Sequence, residues 1–164
     1  MKRLSLDGAW TLRCSDLPGA IPASVPGSFY ADLLAAGKLQ DPYWRDNEDE
    51  ALSRMDFDWI AYASRVDVPA ALLACDAVLL RCEGLDTVAE VFMNGRHVLH
   101  AENMHRTYEA DVIACLAAGE NEIEVRFASP TRWIKAAYAQ SRADGSSDAM
   151  VGFPLLRKAH CTPF

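Results

Sequence analysis

The most regular stretch of the chain is GENEIEVRF (119–127). Ile123, Val125 and Phe127 fall on one side of it, and Glu122, Glu124 and Arg126 on the other. A period of two marks a strand with one solvated face. WIAYASRVDVP (59–69) is rich in β-formers and closes on a proline, which cannot donate to a ladder. AVLLRCEGL (77–85) predicts a third strand. In DTVAEVFMNGRHVLH (86–100) two apolar runs flank Asn94-Gly95, a pair suited to a type I′ turn. This predicts a hairpin whose first arm, apolar on both faces, sits centrally in its sheet. RTYEADV (106–112) and LSLDGAWTLRC (4–14) complete the strands, with Asp7-Gly8 as a turn or bulge.

Two short helices interrupt the strands. Ser28 can cap FYADLLAAG and Gly37 can end it. Pro130 suits the first turn of SPTRWIKAAYAQSRADG, with Ser129 as cap and Trp133, Ile134, Ala137 and Tyr138 on one face. The polar run ADGSSDAM (143–150) follows as a flexible stretch. Many short antiparallel strands with turn signals between them predict an all-β fold, a single jelly-roll β-sandwich over residues 1–164. Sandwiches of this kind serve as lectins, capsid proteins and accessory modules alike, so periodicity alone leaves function open.

Composition narrows the classes. The 164 residues carry 16 basic and 23 acidic side chains, a formal charge of −7. A nucleic acid or an anionic membrane demands a basic face, so neither is an expected partner. No stretch approaches the ~18 consecutive apolar residues of a membrane span. The start, MKRLSLDGAW, lacks the apolar core of a signal peptide. The five cysteines are odd in number, widely spread and form no C-x-x-C pair, which points to a reducing, cytoplasmic setting without a zinc or redox framework.

Candidate chemistry is sparse. RDNEDEAL (45–52) groups Asp46, Glu48, Asp49 and Glu50 in one acidic loop. Neighbours in a loop seldom oppose each other across the ~5 to 9 Å that a glycosidase needs. His97 and His100, three apart on one hairpin arm, should point to opposite faces and make no metal pair. His160 and Cys161 are adjacent, and adjacent side chains of an extended chain diverge, so they make no dyad. No metal or cofactor site is expected. DPYWRDNE (41–48) is richer, because Tyr43 and Trp44 lie beside Arg45, Asp46 and Asn47. Aromatic rings stack on the C–H faces of sugars while Arg, Asp and Asn bind hydroxyls; equally, Trp44 could cover the end of the core.

Four stretches then resemble, in order, the N-terminal domain of β-mannosidases of glycoside hydrolase family 2. They are VPGSFYADLLAAGKLQDPYWRDNE (25–48), CEGLDTVAEVFMNGRHV (82–98), NMHRTYEADV (103–112) and FPLLRKAHC (153–161). The GLDTVAEVFMNG hairpin is shared widely among the family's sugar-binding-like domains; YWRDNE and RKAHC point to the mannosidase branch. The resemblance implies a galactose-binding-like jelly roll that packs on a catalytic TIM barrel and narrows its terminal-mannose pocket. Both catalytic glutamates of the retaining mechanism belong to that barrel, which is absent here. It therefore implies no catalytic residue and no turnover in this chain, although the parent would be an exo-acting β-mannosidase.

In the family, RKAHC runs into a W-D-W-G-P segment whose aspartate shapes the sugar site. Here Thr162-Pro163-Phe164 follows, which reads as a truncation that removes the aspartate and a final strand. A further departure is Ser53-Arg54, where the family often carries an aromatic residue. The candidates carried over, as rim contacts to mannose or to the barrel domain, are Arg45, Asp46 and Asn47, with Trp44 beside them, and the basic pair Arg157 and Lys158; the charged ones could equally form structural ion pairs. The resemblance implies the remaining domains of the parent as partners and leads us to expect exposed Trp, Phe or Leu near the C-terminal end. Two other roles stay open, a free-standing carbohydrate-binding module and a self-associating interaction domain.

Overall fold

The computed structural model describes residues 3–54 and 56–141. Eight strands run through it: β1 (Gly8–Cys14), β2 (Ile21–Val25), β3 (Ile60–Val68), β4 (Leu79–Glu83), β5 (Ala89–Met93), β6 (Arg96–Ala101), β7 (Thr107–Asp111) and β8 (Gly119–Phe127). Six of them form one antiparallel sheet in the order β2-β1-β3-β8-β5-β6, while β4 and β7 pair as a separate two-stranded ladder. Alternation drives the layering. The inner face of the large sheet buries Leu12, Tyr62, Val91, Ile123 and Val125, and Leu80 of β4 closes over the same core. Each buried aliphatic side chain contributes about 1.5–3 kcal/mol. The exposed ion pairs contribute ~0–1 kcal/mol each. The apolar face therefore decides the fold, an all-β sandwich of two unequal antiparallel sheets.

The expected strands form with slightly trimmed ends. The hairpin turns as predicted, with Asn94 and Gly95 at φ 50° and 76°. The Asn94 side chain locks that turn to its neighbour. Its amide donates to Cys115 O at 2.8 Å and to Asn121 Oδ1 at 2.7 Å, and its oxygen accepts the Glu122 N–H at 2.8 Å. β5 lies between β8 and β6, so only its partner arm is an edge.

β2 forms where the pattern indicated no strand, and three further differences have physical causes. First, β5 and β6 slip register between Val91 and Phe92, with His97 and Val98 together opposite Phe92. A bulge adds one residue and reverses side-chain parity beyond it. His97 and His100 therefore share a face and both reach Glu90, at 2.5 and 2.6 Å. Second, Glu124 is buried on the face expected to be wet. Arg13 of β1 reaches it at 2.7 Å across β3, where Ala61 and Ala63 leave room, and Arg126 bonds its other oxygen. Third, the acidic run does not remain a loop.

From Glu48 onward that run forms α2 (Glu48–Ser53), one of two short α-helices among the described residues that the pattern did not indicate; the other is α3 (Ala70–Leu73). Glu48, Asp49 and Glu50 occupy its first turn, where the helix dipole favours carboxylates. The two expected helices are present as α1 (Phe29–Ala35) and α4 (Pro130–Ser141). Ser28 Oγ caps α1 by accepting the Ala31 N–H at 3.3 Å. Gly37, at φ 64°, ends it; its N–H donates to Leu34 O and that of Lys38 to Leu33 O. In α4, Ile134 is buried against Val88, with Trp133 packed beside them. The chain beyond Ser141, including ADGSSDAM and the C-terminal end, lies outside the described residues.

Candidate functional site

The turn between α1 and α2 is built by its own polar side chains. Asp41 Oδ1 accepts the Tyr43 N–H at 2.9 Å, and Asp41 O accepts from Trp44 N at 3.1 Å and from Asn47 Nδ2 at 2.9 Å. Arg45 sits in the left-handed region at φ 53°, a conformation that a non-glycine residue adopts at some energetic cost. Its guanidinium carbon lies 5.9 Å from the centre of the Trp44 ring. Behind the turn, the Tyr30 hydroxyl donates to Ala51 O at 2.8 Å and fastens α2 to α1. Phe57 is buried against Phe29, with ring centres 5.8 Å apart. Arg132 of α4 clasps the same segment through Asp56 at 2.6 Å and through Asp58.

The structure thus brings Trp44, Arg45, Asp46 and Asn47 together. Trp44 is 64% exposed and Tyr43 97%, so Trp44 does not cover the core. Leu52 on α2 is also exposed, as are Leu34 and Trp59 on neighbouring parts of the chain. Arg157 and Lys158 lie outside the described residues.

The buried carboxylates are occupied. Asp32 Oδ2 accepts the Tyr62 hydroxyl at 2.7 Å, and its Oδ1 accepts the Ser24 N–H at 3.1 Å. Burial, then the Asp32 hydrogen bond and charge, pushes the Tyr62 phenol far above its ordinary range, so it remains a neutral donor. Glu124 is saturated by its two arginines. Two shallow hollows of about 350 and 400 Å³ open on the surface, and neither is lined by two carboxylates. Among the described residues no three His, Cys, Asp or Glu gather to hold a metal. Their cysteines are free thiols, and burial pushes Cys82 up to about 11, which keeps it protonated and inert. No described helix is long and apolar enough to cross a membrane.

The 41–47 turn thus sets two exposed aromatic rings beside polar side chains. Residues 10–163 match the glycosyl hydrolase 2 galactose-binding domain-like family. The chain belongs to that family. A probable beta-mannosidase of Caenorhabditis elegans is 31% identical over 144 residues, covering 86% of this chain and 15% of the relative. Beta-mannosidase A of Emericella nidulans is 34% identical, covering 83% of the chain and 14% of the relative. The crystal structure of a beta-D-mannosidase from Dictyoglomus thermophilum superposes with a TM-score of 0.86 at 29% identity, over 92% of this chain and 19% of that one. The chain thus spans about one seventh of the curated relatives it matches, in agreement with a galactose-binding-like domain of a longer enzyme family.

The residue pattern drew attention to the 41–48 segment but gave no sign of two constellations. The Asp32–Tyr62 pair joins positions 30 apart, and nothing local in FYADLLAAG marks its aspartate as buried. The Glu90–His97–His100 cluster depends on the bulge, which leaves no glycine or proline in the sequence to signal it.

Proposed function

We propose that this domain is a non-catalytic scaffold of a β-mannosidase-like glycoside hydrolase, docking on the catalytic barrel and helping to wall its terminal-mannose pocket. The observation that carries this reading is the exposure of Tyr43 and Trp44 on a turn held in shape from behind. A large aromatic in water gains nothing for the isolated domain, but a partner that covers it gains both area and a defined geometry. Arg45, Asp46 and Asn47 supply the polar part of such a rim, with Arg157 and Lys158 assigned to it from the family resemblance. Mannosidase activity in the relatives' names supports the sugar class.

Two readings compete. A free-standing carbohydrate-binding module would use the same turn as a complete sugar site. An interaction domain would pair its exposed sheet edge with a second copy. Binding of an apolar-surface dye separates a docking face from an ordinary surface. The scaffold reading expects dye fluorescence above that of a typical monomer, reduced in Trp44→Ser/Leu52→Ser; dye binding at the typical level counts against it. Light scattering should show a monomer, and a stable dimer favours the interaction domain.

A further inference from the structure

The bulge in β6 assembles a chain of four titratable side chains on the outer face of the large sheet. His97 Nε2 lies 2.5 Å from Glu90 Oε2, and Glu90 Oε1 lies 2.6 Å from His100 Nδ1. His100 Nε2 lies 3.0 Å from Glu102 Oε1. An ionised carboxylate only accepts hydrogen bonds, and a neutral imidazole donates from only one nitrogen. His100 faces a carboxylate oxygen from each nitrogen, so satisfying both contacts requires the doubly protonated ring.

The location gives the contact a mechanical meaning. β6 is an edge of the six-stranded sheet, and residues 102–106 carry the chain from it to β7 in the other sheet. Tyr108 of β7 pins that corner, its hydroxyl oxygen accepting the N–H groups of Glu102 at 3.1 Å and Asn103 at 3.0 Å. The other charges nearby are engaged: Arg126, opposite Glu90 on β8, bonds Glu124 and stacks 4.4 Å over Phe92, and Arg106 stacks 5.8 Å over Tyr108.

We propose that Glu90, His97, His100 and Glu102 form a proton-operated clasp fastening the edge strand β6 to the corner that leads into β7, closed when His100 carries both ring protons and loosened when it gives one up. The electrostatic directions agree. The Glu102 hydrogen bond raises the His100 value, burial opposes it, and Glu90 raises it further. Burial pulls Glu90 up, but the hydrogen bonds from His100 and His97 outweigh it and hold the carboxyl below its ordinary range. A raised histidine contributes its stability fully below its unfolded value of 6.5 and loses it as pH rises through the folded value. A depressed carboxyl contributes above its unfolded value of 4.5 and loses that as pH falls through the folded value. The clasp is therefore tightest in mildly acidic solution, between those two unfolded values.

A proton NMR titration of the imidazole signals tests the clasp directly. His100 should titrate above its ordinary value in the unaltered chain and move down toward it in Glu102→Gln. A value at or below the ordinary one, or a value unmoved by the substitution, overturns the proposal. The urea midpoint of His100→Gln should fall below that of the unaltered chain at about pH 5.5 and match it at about pH 8.5. An equal deficit at both pH values marks a merely structural residue and also overturns it. Should either variant fail to fold, the titration of the unaltered chain still decides.

Discussion

Two corners of the molecule, both built from an aspartate and an aromatic residue near α1, behave in opposite ways. At Asp32–Tyr62 every polar atom turns inward. The carboxylate accepts from a buried phenol and from a strand N–H, tying α1 to β3 and β2 at once. At Asp41–Asn47 the hydrogen bonds run between side chains and the backbone of the same turn, while the Tyr43 and Trp44 rings are left in water. The first corner spends its chemistry on the fold. The second uses its chemistry to hold a shape and leaves its largest rings exposed to solvent.

Substitutions break or sharpen this contrast. The largest effect is expected at the inward corner. Asp32→Ala leaves the buried Tyr62 hydroxyl without its acceptor and should cost about 2–3 kcal/mol in chemical denaturation. Asp32→Asn, which retains an acceptor oxygen for the Ser24 N–H, should cost less. A loss under about 0.5 kcal/mol for the alanine variant would show that the corner is not structural. Next in size is Gly27→Ala in the loop that enters α1. A Cβ there would lie 2.2 Å from the Ser24 carbonyl oxygen, so backbone must move. A cost of about 1–3 kcal/mol is expected, read from the same unfolding curves. The smallest effect belongs to the outward corner, where Trp44→Ala should change stability by less than about 0.5 kcal/mol.

The contrast also explains what could be read from the chain in advance. The strand core was legible because β8 alternates cleanly and Asn94-Gly95 can hardly serve another turn. The aromatic, polar inventory of 41–48 was legible because it is contiguous. β2 was hidden by Pro22, which is tolerated at a sheet edge but weakens the strand signal. α2 was hidden because Leu52 is exposed and no apolar stripe announces a helix; the Tyr30 bond to Ala51 and the acidic first turn support it instead. The two histidines were assigned opposite faces because strand parity was counted without the bulge. The Asp32–Tyr62 pair and the histidine cluster rest on a long-range pairing and a one-residue slip, information that periodicity within a single segment does not hold.

The scaffold account stands on the turn at Trp44 being one wall of a site that a partner completes. Calorimetric titration of the folded chain with manno-oligosaccharide, its folding verified by a cooperative unfolding transition, tests this most directly. The account predicts no heat beyond dilution, for the unaltered chain and for Trp44→Ala alike. A saturable heat that disappears in Trp44→Ala would make the turn a complete sugar site and contradict it.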